Sequence, residues 1–110
     1  MLWASGCVGP PASDVEVCRD LVHRLCLSEV CPQVVPLVPT GRACEATLRE
    51  ATGCAQETFS FIRPSREQFL SCRADLLKAG QGPEQHPACA DVGQSFSRCP
   101  DLVQLLKGVK

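Results

Sequence analysis

A chain of 110 residues with a formal charge of −1 and a pI near 6.1 has room for one domain, and this balance excludes the basic surface that nucleic acid or an anionic membrane demands. Nine cysteines stand against no Tyr, one Trp and four Phe, so the core is small and sulfur must supply part of its cohesion. No apolar run is long enough to span a membrane; Val34 to Val38 is broken at Pro36 and closed by Pro39.

Residues 1–12, rich in Gly and Pro, read as a flexible arm carrying Cys7, and residues 13–108 as a single disulfide-rich helical domain. Ser13 followed by Glu16 has the spacing of a capping box. Behind it, Cys18, Leu21, Val22, Leu25 and Cys26 fall on one helical face, opposite Arg19, Asp20, His23 and Arg24, and Pro32 is expected to end the helix. The Pro-bounded segment Val34, Val35, Leu37, Val38 suits an extended cover laid over the core. Thr40 is a cap for a second helix carrying Cys44, Leu48 and Ala51, with Gly53 as its left-handed stop. Phe59 and Phe61 alternate with polar neighbours across a strand-like link that ends at Pro64.

Ser65 and Gln68 repeat the capping-box spacing ahead of Phe69, Cys72, Leu76 and Leu77, and Lys78 and Gly80 sit where that helix should finish. Gln81 to Pro87 reads as a loop. Pro87 can open a helix bearing Cys89, Val92 and Phe96, and a last short helix from Asp101 to Lys107 groups Leu102, Leu105 and Leu106 before Gly108. The fold class is mostly α: four or five short helices tied by bridges around an extended Val/Pro segment.

Zinc sites favour paired Cys-x2–4-Cys knuckles; Cys26 and Cys31 have four intervening residues and no matching second knuckle, so His23 and His86 read as an exposed helical and a loop histidine. A nucleophilic cysteine needs a base and an electropositive setting; His23 neighbours Cys18 and Cys26, but no third group follows, and both cysteines lie on the apolar face. No catalytic residue, metal ligand or cofactor is therefore assigned, and the chain reads as a binding protein. Val34, Val35, Leu37, Val38, Phe59 and Phe61 are the candidate partner-contacting residues, with burial of at least one phenylalanine expected. The odd cysteine count leaves one thiol unpaired or bonded to another chain. The start, Met-Leu-Trp-Ala-Ser-Gly-Cys, lacks the pattern of a signal peptide, so a mature form, an isoform or a fragment is expected if the route is secretory.

Between Cys18 and Cys72, about half the chain, the order of features resembles a Frizzled-type cysteine-rich domain. Cys18, Leu25-Cys26-Leu27-Ser28, the Val34–Pro39 segment, Arg42-Ala43-Cys44-Glu45, the Phe59, Phe61, Pro64 set and Phe69-Leu70-Ser71-Cys72 carry the likeness. The resemblance implies an extracellular module that binds a Wnt or another lipid-modified ligand. It also implies Cys18 bridged to Cys54 and Cys44 to Cys72, with Cys7 within reach of Cys26, and it leaves Cys31 and Cys89 without their usual partners. Cys89 and Cys99 are poor mates for each other, because ten residues of continuous helix hold them about 15 Å apart; either that helix breaks at Gly93 or both pair elsewhere. Cys44-x9-Cys54 and Cys89-x9-Cys99 support a competing resemblance to the stapled helical hairpins of the mitochondrial intermembrane space, which implies Cys44 with Cys99 and Cys54 with Cys89. A secreted helical ligand or receptor fragment is the third reading. All three place the chain where cysteines oxidise.

Overall fold

The computed structural model describes residues 12–77 and 86–109. Its elements in chain order are α1 (Asp14–Leu27), a 3-10 turn (Val35–Leu37), α2 (Cys44–Thr52), α3 (Arg66–Ala74), α4 (Cys89–Arg98) and α5 (Pro100–Leu106). The class is mostly helical, with no strand among the described residues. Cys7, Lys78 and Gly80 lie outside these residues, as do 81–85 of the expected loop.

The helix starts follow local chemistry. Ser13 Oγ accepts from the Glu16 N–H at 3.2 Å while the Glu16 carboxylate accepts from the Ser13 N–H at 2.9 Å, so two of the free donors at the head of α1 are satisfied reciprocally. Ser65 and Gln68 do the same for α3. Gly53 closes α2 at φ 95°, a left-handed conformation that costs glycine nothing, and its N–H donates to the Arg49 carbonyl.

Several stretches differ from the sequence reading: α3 stops at Ala74, short of the finish expected at Lys78 and Gly80, the Phe59–Phe61 link is not a strand, and three more depart as follows. α1 ends at Leu27, well before Pro32, because Ser28 caps it and then turns away, its buried hydroxyl donating to the Pro87 carbonyl. The segment from Cys31 to Val38 is not extended but coiled into consecutive turns, with Val34 N–H donating to Cys31 O and Leu37 N–H to Val34 O. Proline explains this: its fixed φ suits a tight turn as well as a strand, and here turning drops Val34 into the core. Ala43, not Thr40, precedes α2, since Pro39 to Arg42 form a turn of their own.

The apolar faces pack α1 on α2, α2 on α5, and α4 on both α3 and α5. Leu21, Val22, Leu25, Val34, Leu48, Phe69, Val92 and Leu102 are wholly buried in the one core. Four disulfides lace it together. Cys18–Cys54 and Cys26–Cys44, with Cα separations of 6.2 and 5.7 Å, staple α1 to α2 at both ends; Cys31–Cys89 ties the turn after α1 to the head of α4; Cys72–Cys99 ties α3 to the α4–α5 junction.

These pairings revise those drawn from family resemblance. Cys18 does meet Cys54, but Cys44 bonds Cys26 and not Cys72, Cys72 bonds Cys99, and Cys26 is thereby closed to Cys7. The expected Cys44–Cys99 and Cys54–Cys89 bridges are replaced as well: the doubly stapled hairpin exists, but the helix facing α2 is α1. Cys89 and Cys99 stand at opposite ends of an unbroken α4 and pair elsewhere. Gly93 does not break that helix. A Cβ there would lie 2.8 Å from Gln33 Nε2, so its bareness admits the Gln33 side chain against α4.

With eight of the nine cysteines joined to one another, Cys7 has no mate left within the chain. Peptide mapping under non-reducing conditions is expected to recover the four bridges above. Thiol titration of the denatured monomer should count one free sulfhydryl, and none in Cys7→Ser; a second free thiol would show a bridge unmade.

Candidate functional site

The chain between α2 and α3 has no regular hydrogen-bond ladder, so its position depends on side chains. Asp14, in the first turn of α1, supplies the anchor: one carboxylate oxygen accepts from the Phe61 N–H at 3.0 Å and the other from Arg66 Nη1 at 2.6 Å. Arg66 also donates to the Ala12 carbonyl. The Phe61 N–H, and after it the Arg66 guanidinium, hold the Asp14 carboxyl below the ordinary range for an aspartic acid, against an opposing effect of burial. Arg19 secures the beginning of the same segment, donating to the carbonyls of Cys54 and Ala55 and pairing with Glu57.

Held in this way, the segment presents three rings in sequence. Phe61 lies against the fully buried Phe69 with ring centroids 4.4 Å apart, and Phe59 meets Phe61 edge to face at 5.0 Å. Phe59 and Phe61 are each half-buried: they rest on the core with one side and leave the other uncovered. Opposite them stand Leu105 on α5 and Val109 beyond it, and between the two walls runs a groove of ≈ 620 Å³. Thr52 and Gly53 at the end of α2, with Gln56, Thr58, Ser60 and Gln104, line the rest, and Arg63 and Asp101 are its charged members. Ile62, 89% exposed, projects beside it.

The sequence reading singled out Phe59 and Phe61 but not Ile62, Leu105 or Val109. The signal for Ile62 is its parity: in an alternating segment the residue between a half-buried aromatic and a proline-bound turn faces outward. Leu105 was grouped with Leu102 and Leu106 on one apolar face; the structure buries those two and leaves Leu105 partly open to the groove. The Val34–Val38 segment contributes none of the lining. Val34 is core, Leu37 and Val38 are partly buried against it, and only Val35, at 54% exposure, is free to meet a partner.

Among the described residues no three His, Cys, Asp or Glu side chains gather as a metal site, and eight cysteines are committed to bridges. His23 Nδ1 lies 3.0 Å from the Glu45 carboxylate, joining α1 to α2. No described helix is long and apolar enough to cross a membrane. Comparison with protein-family models, with curated proteins and with solved structures finds no match to this chain.

Two predictions follow from the anchor and the rings. Because the folded Asp14 titrates below its unfolded value, its stabilising contribution is present above pH ~4 and is lost as pH falls through the folded value. Asp14→Asn should therefore lower stability by about 1 kcal/mol at neutral pH and flatten the acid limb of a melting-temperature profile. Phe61→Ala, removing a half-buried ring stacked on Phe69, should cost about 2 kcal/mol in urea unfolding, while the exposed Ile62→Glu should change stability by less than about 0.5 kcal/mol.

Proposed function

We propose that this chain is an extracellular, disulfide-stabilised interaction module that receives an apolar group of a protein ligand in the groove between the Phe59–Arg63 segment and α5. The observation that carries this reading is the groove itself: Phe59, Phe61, Ile62, Leu105 and Val109 leave apolar surface uncovered, on walls fixed by the Asp14 anchor and the surrounding helices. Apolar surface left open on a small domain costs stability, and its retention points to use in recognition. Four bridges in so small a domain fit an oxidising compartment.

The Frizzled-type resemblance supplies the ligand class, a Wnt or another lipid-modified protein. An acyl chain suits this slot on physical grounds, since it asks for apolar walls and few hydrogen-bond partners. Binding then depends on the exposed edge of the groove and not on the buried core.

The test compares immobilised acylated and deacylated forms of a Wnt-type ligand against the oxidised chain. Acyl-dependent binding is expected, and Ile62→Glu or Leu105→Glu should weaken it by about tenfold or more while the melting temperature and circular dichroism stay near those of the parent. Equal binding of both ligand forms, or of parent and variants, sinks the reading. The alternative, a twin Cys-x9-Cys protein of the mitochondrial intermembrane space, retains a doubly stapled hairpin in α1–α2 but loses the Cys44–Cys99 and Cys54–Cys89 bridges it implied. Recovery of the oxidised endogenous chain from that compartment on fractionation would decide for it.

A further inference from the structure

The geometry points to an oxyanion-binding site where α1 meets α3, formed by Arg24 and Arg73; none of its residues lines the groove, so it stands independently of the function proposed above. Arg24 Nε and Arg73 Nη1 both donate to a single oxygen of Asp20, Oδ2, each at 3.0 Å. Two guanidinium groups thus face one carboxylate, and the cluster keeps a net positive charge. Neither arginine is free to carry its charge into bulk water: their side chains are only 17% and 23% exposed. Arg73 Nε is buried and has no acceptor.

Three other arginines are better matched, whereas Arg49, with Glu45 alone at 3.5 Å and a buried Nε without a partner, shares the shortage but stands singly and not as one of a pair. Arg98 donates twice to Asp75 and once to the Ser71 carbonyl, Arg66 meets Asp14 and the Ala12 carbonyl, and Arg19 meets two carbonyls and Glu57. Among the described residues, Arg24 and Arg73 have Asp20 alone. Two converging guanidinium groups with donors to spare recognise a tetrahedral oxyanion, which accepts from both forks at once and relieves their mutual repulsion. A sulfate or phosphate group satisfies that requirement, either as the free ion or as the sulfate ester of a glycan.

The experiment uses the full oxidised chain, 15N-labelled, titrated with sodium sulfate against sodium chloride at matched ionic strength. The Nε–H resonances of Arg24 and Arg73 should shift together and saturate with one dissociation constant, while that of Arg98 stays in place. Arg24→Gln keeps the Arg73–Asp20 tie and should weaken sulfate binding by about tenfold, the loss expected for one charge-assisted fork. Arg24→Lys, which retains the charge without the fork, is the second variant and should also bind more weakly. A sulfated disaccharide that binds more tightly than its unsulfated form and than free sulfate identifies the glycan ester as the source; a disaccharide no tighter than sulfate identifies the free ion. Linear, unsaturated shifts, equal movement of Arg98, or parent-like titration of both Arg24 variants would overturn the site.

Discussion

The architecture depends on the double staple between α1 and α2. Cys18 and Cys26 stand on the apolar face of α1, Cys44 and Cys54 at the two ends of α2, and their bridges fix both the antiparallel direction and the register of the pair. Once register is set, Leu21, Val22, Leu25 and Leu48 need not find one another by side-chain shape alone. That matters in a chain with four phenylalanines and no tyrosine, whose short helices are too brief to persist in water by themselves. The other two bridges extend the same frame: Cys31–Cys89 brings α4 to the end of α1, and Cys72–Cys99 closes α3 on the α4–α5 corner.

What could be read from the sequence was local. The two capping boxes, the apolar face of α1, the glycine stop at Gly53 and the short final helix are each written within a few residues, and each forms close to where it was expected. The bridge partners were not legible, because pairing is decided by where whole helices lie; likeness to a family placed Cys44 with Cys72, while packing of α1 on α2 places it with Cys26. The Val/Pro segment failed for a different reason. Proline excludes a central strand, but it does not choose between an extended cover and a run of turns, and burial of Val34 settled that choice. The groove was half-visible: two aromatic residues on a non-helical link suggested a surface, but its far wall comes from α5, more than forty residues away.

The polar contacts divide the same labour. Asp14, Arg19 and Arg66 position the irregular Phe59–Arg63 segment from the flanks, performing the task that a hydrogen-bonded ladder would perform in a strand. Ser95 and Ser28 are buried, yet each hydroxyl donates to a carbonyl, of Cys72 and Pro87 respectively, so neither leaves a polar group unsatisfied inside. Gln33 Oε1 and Arg49 Nε share with Arg73 Nε the lack of a partner; what sets Arg24 and Arg73 apart is that two guanidinium groups meet at one carboxylate oxygen.

Cross-linking and the proposed recognition are connected through the aromatic side chains. A domain of this size with no bridges would have to bury nearly every ring it has to reach stability. Here Phe69 is wholly buried and Phe96 partly so, whereas Phe59 and Phe61 form a groove wall with one side uncovered. Four covalent ties reduce the freedom of the unfolded chain, so stability depends less on those two rings being covered. On this argument the bridges do more than hold the helices together: by relieving the core of two aromatic residues, they leave uncovered the apolar surface on which the proposed binding rests. Under the proposed function, reduction should weaken ligand capture at denaturant concentrations below those that unfold the helices, because the groove walls lose their fixed spacing before secondary structure is lost.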